Sequence, residues 1–275
     1  MKHKLPGIIA LDYDGTLAQG NGLIAAPELN ALQALGELGV VRVIATGRSL
    51  FSADTVMPKD LPLDYLVFSS GVGVMDWPKR DILASNNLDV DISKKISEWL
   101  KNHHLDFMIH HPAPDNHHFY YYESSHGNPD FYRRISRYKK FAWPLERCRK
   151  FEGISQLLVV VEQGGGYWLK KLRETFPGVN IVRTTSPLDQ KSMWIEIFPR
   201  DVSKASGLMF IANQLNVSRQ NIVCVGNDYN DLDMLRYGGK SFVVGNAPDE
   251  LKREFQCIGH HAEQGVAELL SELGS

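Results

Sequence analysis

The stretch GIIALDYDGTLAQG, Gly7 to Gly20, sets two carboxylates, Asp12 and Asp14, at the end of a short apolar run. Carboxylates two residues apart repel each other, so their placement at a strand end implies a positive species between them. A hard divalent cation such as Mg²⁺ takes oxygen ligands and offsets that repulsion. A helix–loop–helix Ca²⁺ loop needs Gly at its sixth position and Glu at its twelfth; counted from Asp12 these are Leu17 and Leu23, which excludes it. The ordinary alternative is that both acids cap a turn. Further groups of the same polar kind stand elsewhere in the chain: Thr46-Gly47-Arg48, the lone Lys204, and the run Gly226-Asn227-Asp228-Tyr229-Asn230-Asp231.

The elements that must position these residues follow from the apolar pattern. GIIALDYDGT, VVRVIATGR and NIVCVGNDYND each read as a strand buried on both faces and closed by polar residues. Between the first two lies APELNALQALGELG. Pro27 suits a first helical turn, Leu29, Leu32, Leu35 and Leu38 form a stripe, and Gly39 closes the C-terminus. That is a βαβ unit. After Lys204, Leu208, Ile211, Ala212 and Leu215 make a second amphipathic helix leading into the third strand. SFVVG reads as a fourth strand, and APDELKREF repeats the proline-led helix start. Ligands of open parallel sheets bind beyond the carboxyl ends of the strands, so the polar endings are expected to meet at one edge. Lys204 lies in a helical first turn with Ser203 as cap. A cation there opposes the helix dipole, whereas an anion bound beside it is stabilised by both.

The middle of the chain differs. Helix-like stretches (ISKKISEWLKNHH, GGYWLKKLRETFPG) alternate with strand-like ones (HHFYYYES, SQLLVVVEQ, MWIEIFP), which reads as a second, α+β domain. Thr46 to Lys204 spans 158 positions against 32 from Asp14 to Thr46, so only the later interval has room for it. With 275 residues and a formal net charge of -2, the chain has the size for such an insertion and no general pull toward nucleic acid or an anionic membrane. Cys148, Cys224 and Cys257 form no CxxC pair and read as reduced thiols. No apolar run approaches the roughly 18 residues of a membrane span, and the N-terminal apolar stretch ends too early for a signal peptide. A cytoplasmic location is expected.

Taken together, LDYDGTLAQG, IATGR, the lysine of PRDVSKASGL and VGNDYNDLDML resemble the four ordered motifs of the haloacid dehalogenase (HAD) superfamily, over nearly the whole chain. The insert before WIEIFPRDVSK looks like the type-IIB cap of sugar phosphatases. The resemblance implies an α/β fold: a Rossmann-like parallel-sheet core, residues 1–82 and 199–275, with an inserted α+β cap, residues 83–198. It implies a Mg²⁺-dependent phosphatase of a small phosphorylated metabolite. Asp12 would be the nucleophile that forms an aspartyl-phosphate, and Asp14 the acid and then the base. Gly15, Thr46, Gly47, Lys204 and Asn230, with Asp12, would bind the phosphoryl group. Asp12, Asp14 through its backbone carbonyl, Asn227, Asp228 and Asp231 would surround the metal. The family usually reads G-D-x-x-N-D; here Asn227 stands at the first acid, with Asp228 adjacent as the alternative ligand. A phosphomutase of the phosphomannomutase kind, and a non-catalytic metabolite-binding member, are the other readings. The chain gives no sign of an oligomeric state.

Three segments of the insert carry charge or glycine without a motif. HHLDFMIHHPAPDNHHFYYYESSH holds seven histidines between His103 and His126, readable as a second metal site or as a pH-sensitive surface. FYRRISRYKKFAWPLERCRK, Phe131 to Lys150, is basic and aromatic. It reads as a solvated helix face or a contact for an anionic group, with Arg133, Arg134 and Arg137 placed to share a face. Gly164 to Gly166 read as a tight turn after the LLVVV strand, not as a dinucleotide loop.

Overall fold

The four apolar residues before Asp12 form a strand with every side chain buried, as do the residues leading to Asn227. Continuous burial, without alternation, belongs to the interior of a parallel sheet covered on two faces. The computed structural model describes residues 5–20, 22–124, 127–148, 153–186 and 188–274. In chain order the strands are β1 (Ile8–Leu11), β2 (Val41–Ala45), β3 (Tyr65–Phe68), β4 (Gly73–Asp76), β5 (Asp81–Ser85), β6 (Asp106–His110), β7 (Phe119–Tyr122), β8 (Ala142–Pro144), β9 (Gln156–Val161), β10 (Val179–Thr185), β11 (Met193–Pro199), β12 (Ile222–Gly226), β13 (Lys240–Val243) and β14 (Gln256–Cys257). The helices are α1 (Ala26–Glu37), α2 (Leu50–Asp54), α3 (Val90–Asn102), α4 (Pro129–Arg137), α5 (Gly166–Thr175), α6 (Lys204–Gln214), α7 (Leu232–Tyr237), α8 (Asp249–Glu254) and α9 (Gly265–Gly274).

The chain divides into two compact units: Met1–Arg48, Ser52–Ala84 and Ser203–Ser275 form one, Ser49–Phe51 and Ser85–Val202 the other. The first holds an eight-stranded sheet in the order β14-β13-β12-β1-β2-β3-β4-β5. Neighbours from β14 to β3 run parallel, and β4 returns antiparallel to β3. The chain builds outward from β1 through β2 and β3 on one side, then through β12, β13 and β14 on the other. The boundary between β1 and β12 is therefore the topological switch point, where a parallel sheet leaves a crevice at its carboxyl edge. Ile8, Ala10, Val43, Ala45, Ile222 and Cys224 point to one face and pack with Leu208, Ile211 and Ala212 of α6. Burying Leu208 and Ile211 contributes about 1.5–3 kcal/mol each, which fixes α6, and Lys204 at its start, against the sheet.

In α1 the buried stripe is Glu28, Ala31, Leu32 and Leu35, while Leu38 is exposed. The expected run Leu29–Leu32–Leu35–Leu38 steps by three residues, and each step falls 60° short of a full turn, so its end rotates out of the interface. Gly39 takes the left-handed conformation (φ +81°) that ends the helix.

The second unit is a six-stranded sheet in the order β10-β11-β9-β6-β7-β8, antiparallel except for the β7–β8 pair. Side chains alternate across it. Phe107, Ile109, Leu157, Val159, Ile195 and Ile197 pack with Ile96 and Leu100 of α3. Met108, Leu158, Val160 and Trp194 face the other way, onto Phe119 and Phe131. The Gly164–Gly166 turn leads into α5, with Gly164 at φ +97°. Arg134 does not share the solvated face of Arg133 and Arg137. Its guanidinium lies 4.7 Å from the Trp194 ring centre and 5.4 Å from that of Tyr138, a cation–π seat. His126, Arg149 and Lys150 lie outside the described residues. No helix among the described residues is long and apolar enough to cross a membrane. The fold is the expected one, an α/β parallel-sheet core with an inserted α+β unit.

Candidate active site

The β1 ladder runs on through the Asp12 N–H, which donates to the Val225 carbonyl at 2.9 Å, so Asp12 sits at the carboxyl edge beside β12. The chain then turns sharply: Ala18 N–H donates to Tyr13 O at 2.8 Å, and Gly15 adopts φ +74°. A Cβ on Gly15 would lie 2.6 Å from the Asn227 side-chain amide, so glycine is required for both angle and space. Asn246, just beyond β13, donates its amide to the Gly15 carbonyl at 2.8 Å. The Tyr13 hydroxyl anchors the loop by donating to the Gly22 carbonyl at 2.7 Å.

At the end of β2, Thr46 is fully buried and its hydroxyl accepts from the Arg48 N–H at 3.1 Å. The peptide groups of Thr46 and Arg48 are tied to the segment after β3. Ser70 N–H donates to Thr46 O and Ser69 N–H to Arg48 O, at 2.9 and 2.8 Å. Ser69 and Ser70 both take positive φ, 49° and 54°, and Gly71 follows at 101°. This left-handed run brings Ser70 Oγ to 3.5 Å from the place a Cβ on Gly47 would occupy, and the Asn230 amide, from the turn after β12, lies 3.8 Å from the same place. Ser70 Oγ is buried without a hydrogen-bond partner. Arg48 reaches back to β1. Its Nε and Nη2 donate to the two carboxylate oxygens of Asp14 at 2.7 and 2.6 Å, a bidentate fork.

Lys204 opens α6. Ser203 caps the helix through a reciprocal pair with Ser206, and the Ser203 carbonyl approaches so closely that a Cβ on Gly71 would lie 2.0 Å from it. The fully buried ammonium donates to Asp12 Oδ1 and to Asp231 Oδ1, each at 2.6 Å. Asp231 Oδ2 accepts from the backbone N–H groups of Asn227 and Asp228, at 2.8 and 3.0 Å. Asp231 lies directly under β12; a Cβ on Gly226 would be 2.6 Å from its own Cβ. Asp228 caps the short turn that follows, accepting from Tyr229 N–H at 2.8 Å.

Two buried carboxylates share one ammonium, which leaves the cluster negative. Burial, then the Asp231 charge, hold Asp12 above the ordinary carboxylate range despite its bond to Lys204. Burial alone draws Lys204 down, but Asp12 and Asp231 outweigh it and keep its ammonium charged. Asp12 Oδ2 is buried with no hydrogen-bond partner. A buried oxygen of that kind is costly unless something binds it. An unpartnered carboxylate oxygen in a cluster of net negative charge is a donor that fits a hard cation such as Mg²⁺.

Every residue expected at the site lies on this edge of the first unit. Asp231, expected around the metal, spends both carboxylate oxygens on Lys204 and on two N–H groups. Asn227 faces the Gly15 turn, while Asp228 is engaged by the turn it caps. Arg48, named in the sequence only as part of a polar strand ending, joins the cluster, as do Ser70 and Asn246, which were not singled out. Each stands at or just beyond a strand end, the one signal in the sequence that pointed to them.

The family model described as haloacid dehalogenase-like hydrolase matches residues 9–270. A stress response protein of Bacillus subtilis is 26% identical, covering 96% of this chain and 92% of its own. An HMP-PP phosphatase of Yersinia pestis is 25% identical over 96% of this chain and 93% of its own. The solved structure of a HAD subclass IIB sugar phosphatase superposes with a TM-score of 0.77 at 15% identity, over 97% of this chain and 98% of that one.

Proposed function

The chain belongs to the haloacid dehalogenase-like hydrolase family, and from there we propose that it is a Mg²⁺-dependent phosphatase acting on a small phosphorylated metabolite, a sugar phosphate or similar ester. The observation that carries this reading is the Lys204 ammonium at 2.6 Å from both Asp12 and Asp231, with the other Asp12 oxygen buried and unpartnered. The names of the phosphatase relatives support the same class.

Asp12 attacks phosphorus and the ester P–O bond breaks, giving an aspartyl-phosphate. Lys204 fixes the Asp12 carboxylate and adds positive charge where the phosphoryl oxygens gather. Asp14, protonated and turned out of its fork with Arg48, gives its proton to the leaving alkoxide. As a carboxylate it then takes a proton from the water that attacks the intermediate, releasing inorganic phosphate and restoring Asp12. Thr46, Gly47 and Asn230, with the Gly15 turn, bind the phosphoryl oxygens. Asp12, the Asp14 carbonyl and Asn227 hold Mg²⁺, with Asp228 close behind, and Asp231 positions Lys204 and the Asn227 loop. Bound Mg²⁺ supplies the charge neutralisation that lets an anionic nucleophile meet an anionic ester. Residues 1–82 and 199–275 are the core in this reading, and residues 83–198 the type-IIB cap that selects the non-phosphate part of the substrate. A cytoplasmic location belongs to the same proposal, supported by three free thiols.

A panel of phosphate esters assayed with Mg²⁺ for free phosphate and for isomeric products tests the reading. Stoichiometric phosphate release from a subset of the panel is expected. An isomeric phosphate with little free phosphate would establish a mutase instead, and no turnover of any ester would leave a binding protein.

A further inference from the structure

The connection between β6 and β7 folds back on itself. His111 N–H donates to His118 O at 3.0 Å, and His118 N–H donates to Asp115 O at 2.9 Å, which closes a turn over residues 115–118. Asp115, His117 and His118 project from that turn. One carboxylate oxygen and one ring nitrogen from each histidine lie within 4.8 Å of one another. The His117 and His118 ring centres are 4.1 Å apart, and His111 stands 5.7 Å from His118. Phe141 packs edge-on against both, at 4.8 and 5.1 Å, and Trp143 stacks on His118. Ring packing accounts for the arrangement of the faces but not for two of the ring nitrogens. His117 Nδ1 and His111 Nε2 are buried with no hydrogen-bond partner. Uncompensated buried nitrogens of this kind require a reason.

We propose that Asp115, His117 and His118 form a transition-metal site of the Zn²⁺ class, closed by a water and bordered by His111. Two imidazole nitrogens and one carboxylate with an open fourth position is a Zn²⁺ donor set and a poor one for Mg²⁺. Tetrahedral ligands at about 2.0–2.1 Å from the metal sit roughly 3.3 Å apart. Asp115 is exposed on the turn, and rotation of its side chain draws the three together. The spacing Asp-x-His-His is not a helical metal motif; the turn brings these atoms together where a helix would not. The ion would staple the β6–β7 connection.

The full chain, titrated with Zn²⁺ against a chromophoric chelator in excess Mg²⁺, is expected to bind one equivalent that Asp12→Asn retains. His117→Gln with His118→Gln is expected to lose it, and Asp115→Asn, which removes a ligand's charge, to weaken it by at least the roughly tenfold that loss of an outer-shell partner costs. Asp115→Asn changes an exposed turn residue, so it keeps the test open should the histidine pair fail to fold. Co²⁺ in place of Zn²⁺ is expected to give the visible absorption of a tetrahedral site, absent in His117→Gln with His118→Gln and reduced in Asp115→Asn. Zn²⁺ uptake equal in wild type and in both sets of variants, or lost with Asp12→Asn, would overturn the proposal.

Discussion

Replacing Lys204 with Met removes the one cation between Asp12 and Asp231 and leaves their oxygens facing each other in a fully buried cluster. The ammonium lies 2.6 Å from each carboxylate and none of the three side chains is more than 6% exposed, so bulk solvent screens their charges little. Removing one partner of a buried ion pair costs about 3–5 kcal/mol. In a chain of this size that lowers Tm by roughly 10 °C. Adding Asp231→Asn to Lys204→Met removes half of the repelling pair, so the double variant is expected to be more stable than the single one, a sign that ordinary additivity does not give. Loss of the ammonium also removes charge stabilisation from the transition state, lowering kcat by about 10²–10³-fold. Denaturant melts of the four members of the cycle, with phosphate release measured on each folded variant, provide the check. A single variant within 1 kcal/mol of wild type, or a double variant less stable than Lys204→Met, would refute the charge accounting of the cluster.

Gly15→Ala forces a Cβ into φ +74° and to 2.6 Å from the Asn227 amide. A cost of about 1–2 kcal/mol from the angle alone is expected, with Mg²⁺ affinity falling in a metal titration because Asn227 is displaced. Arg48→Lys replaces a two-bond fork on Asp14 by a point charge. Steady-state kinetics should show kcat down about tenfold with KM little changed, because Asp14 acts on the leaving group and not on ground-state binding. His110 is buried, its Nδ1 donating to Asn116 O at 2.7 Å, and burial holds its pKa at about 3 against an ordinary 6.5. Between those values the unfolded chain binds a proton that the folded chain does not, so stability falls as pH drops below 6.5. From pH 7 to pH 5 that amounts to about 2 kcal/mol. Thermal melts of chelator-treated His110→Asn over this range should show a correspondingly shallower pH dependence than wild type.

The readable parts of the site were those whose own neighbours in the chain mark them. Asp12 ends an apolar run that has to be a buried strand, and Ser203 caps the helix that carries Lys204. Both are local facts. Ser70 and Asn246 are ordinary polar residues in their own segments; they matter because β13 lies one strand beyond β12 and β3 two beyond β1, close to the switch point, which only the strand order reveals. Asp231 was readable as an acid of the right motif, but its attachment to Lys204 rests on Gly226 letting it pass beneath β12. In the second unit, Arg134 turned inward because Trp194, a residue of β11 far along the chain, supplies a ring for it. Leu38 turned outward because three-residue steps drift around a helix, and a stripe that looks regular in the sequence is not one in space.

The central claim is a covalent bond between Asp12 and phosphorus. Rapid acid quench of the protein during turnover of an ester identified by the panel, followed by peptide mass spectrometry, tests it directly. The account predicts a transient phosphoryl group on the peptide that carries Asp12, absent in Asp12→Asn. Steady turnover with that peptide unmodified at every quench time, or an Asp12→Asn variant of undiminished activity, would contradict it.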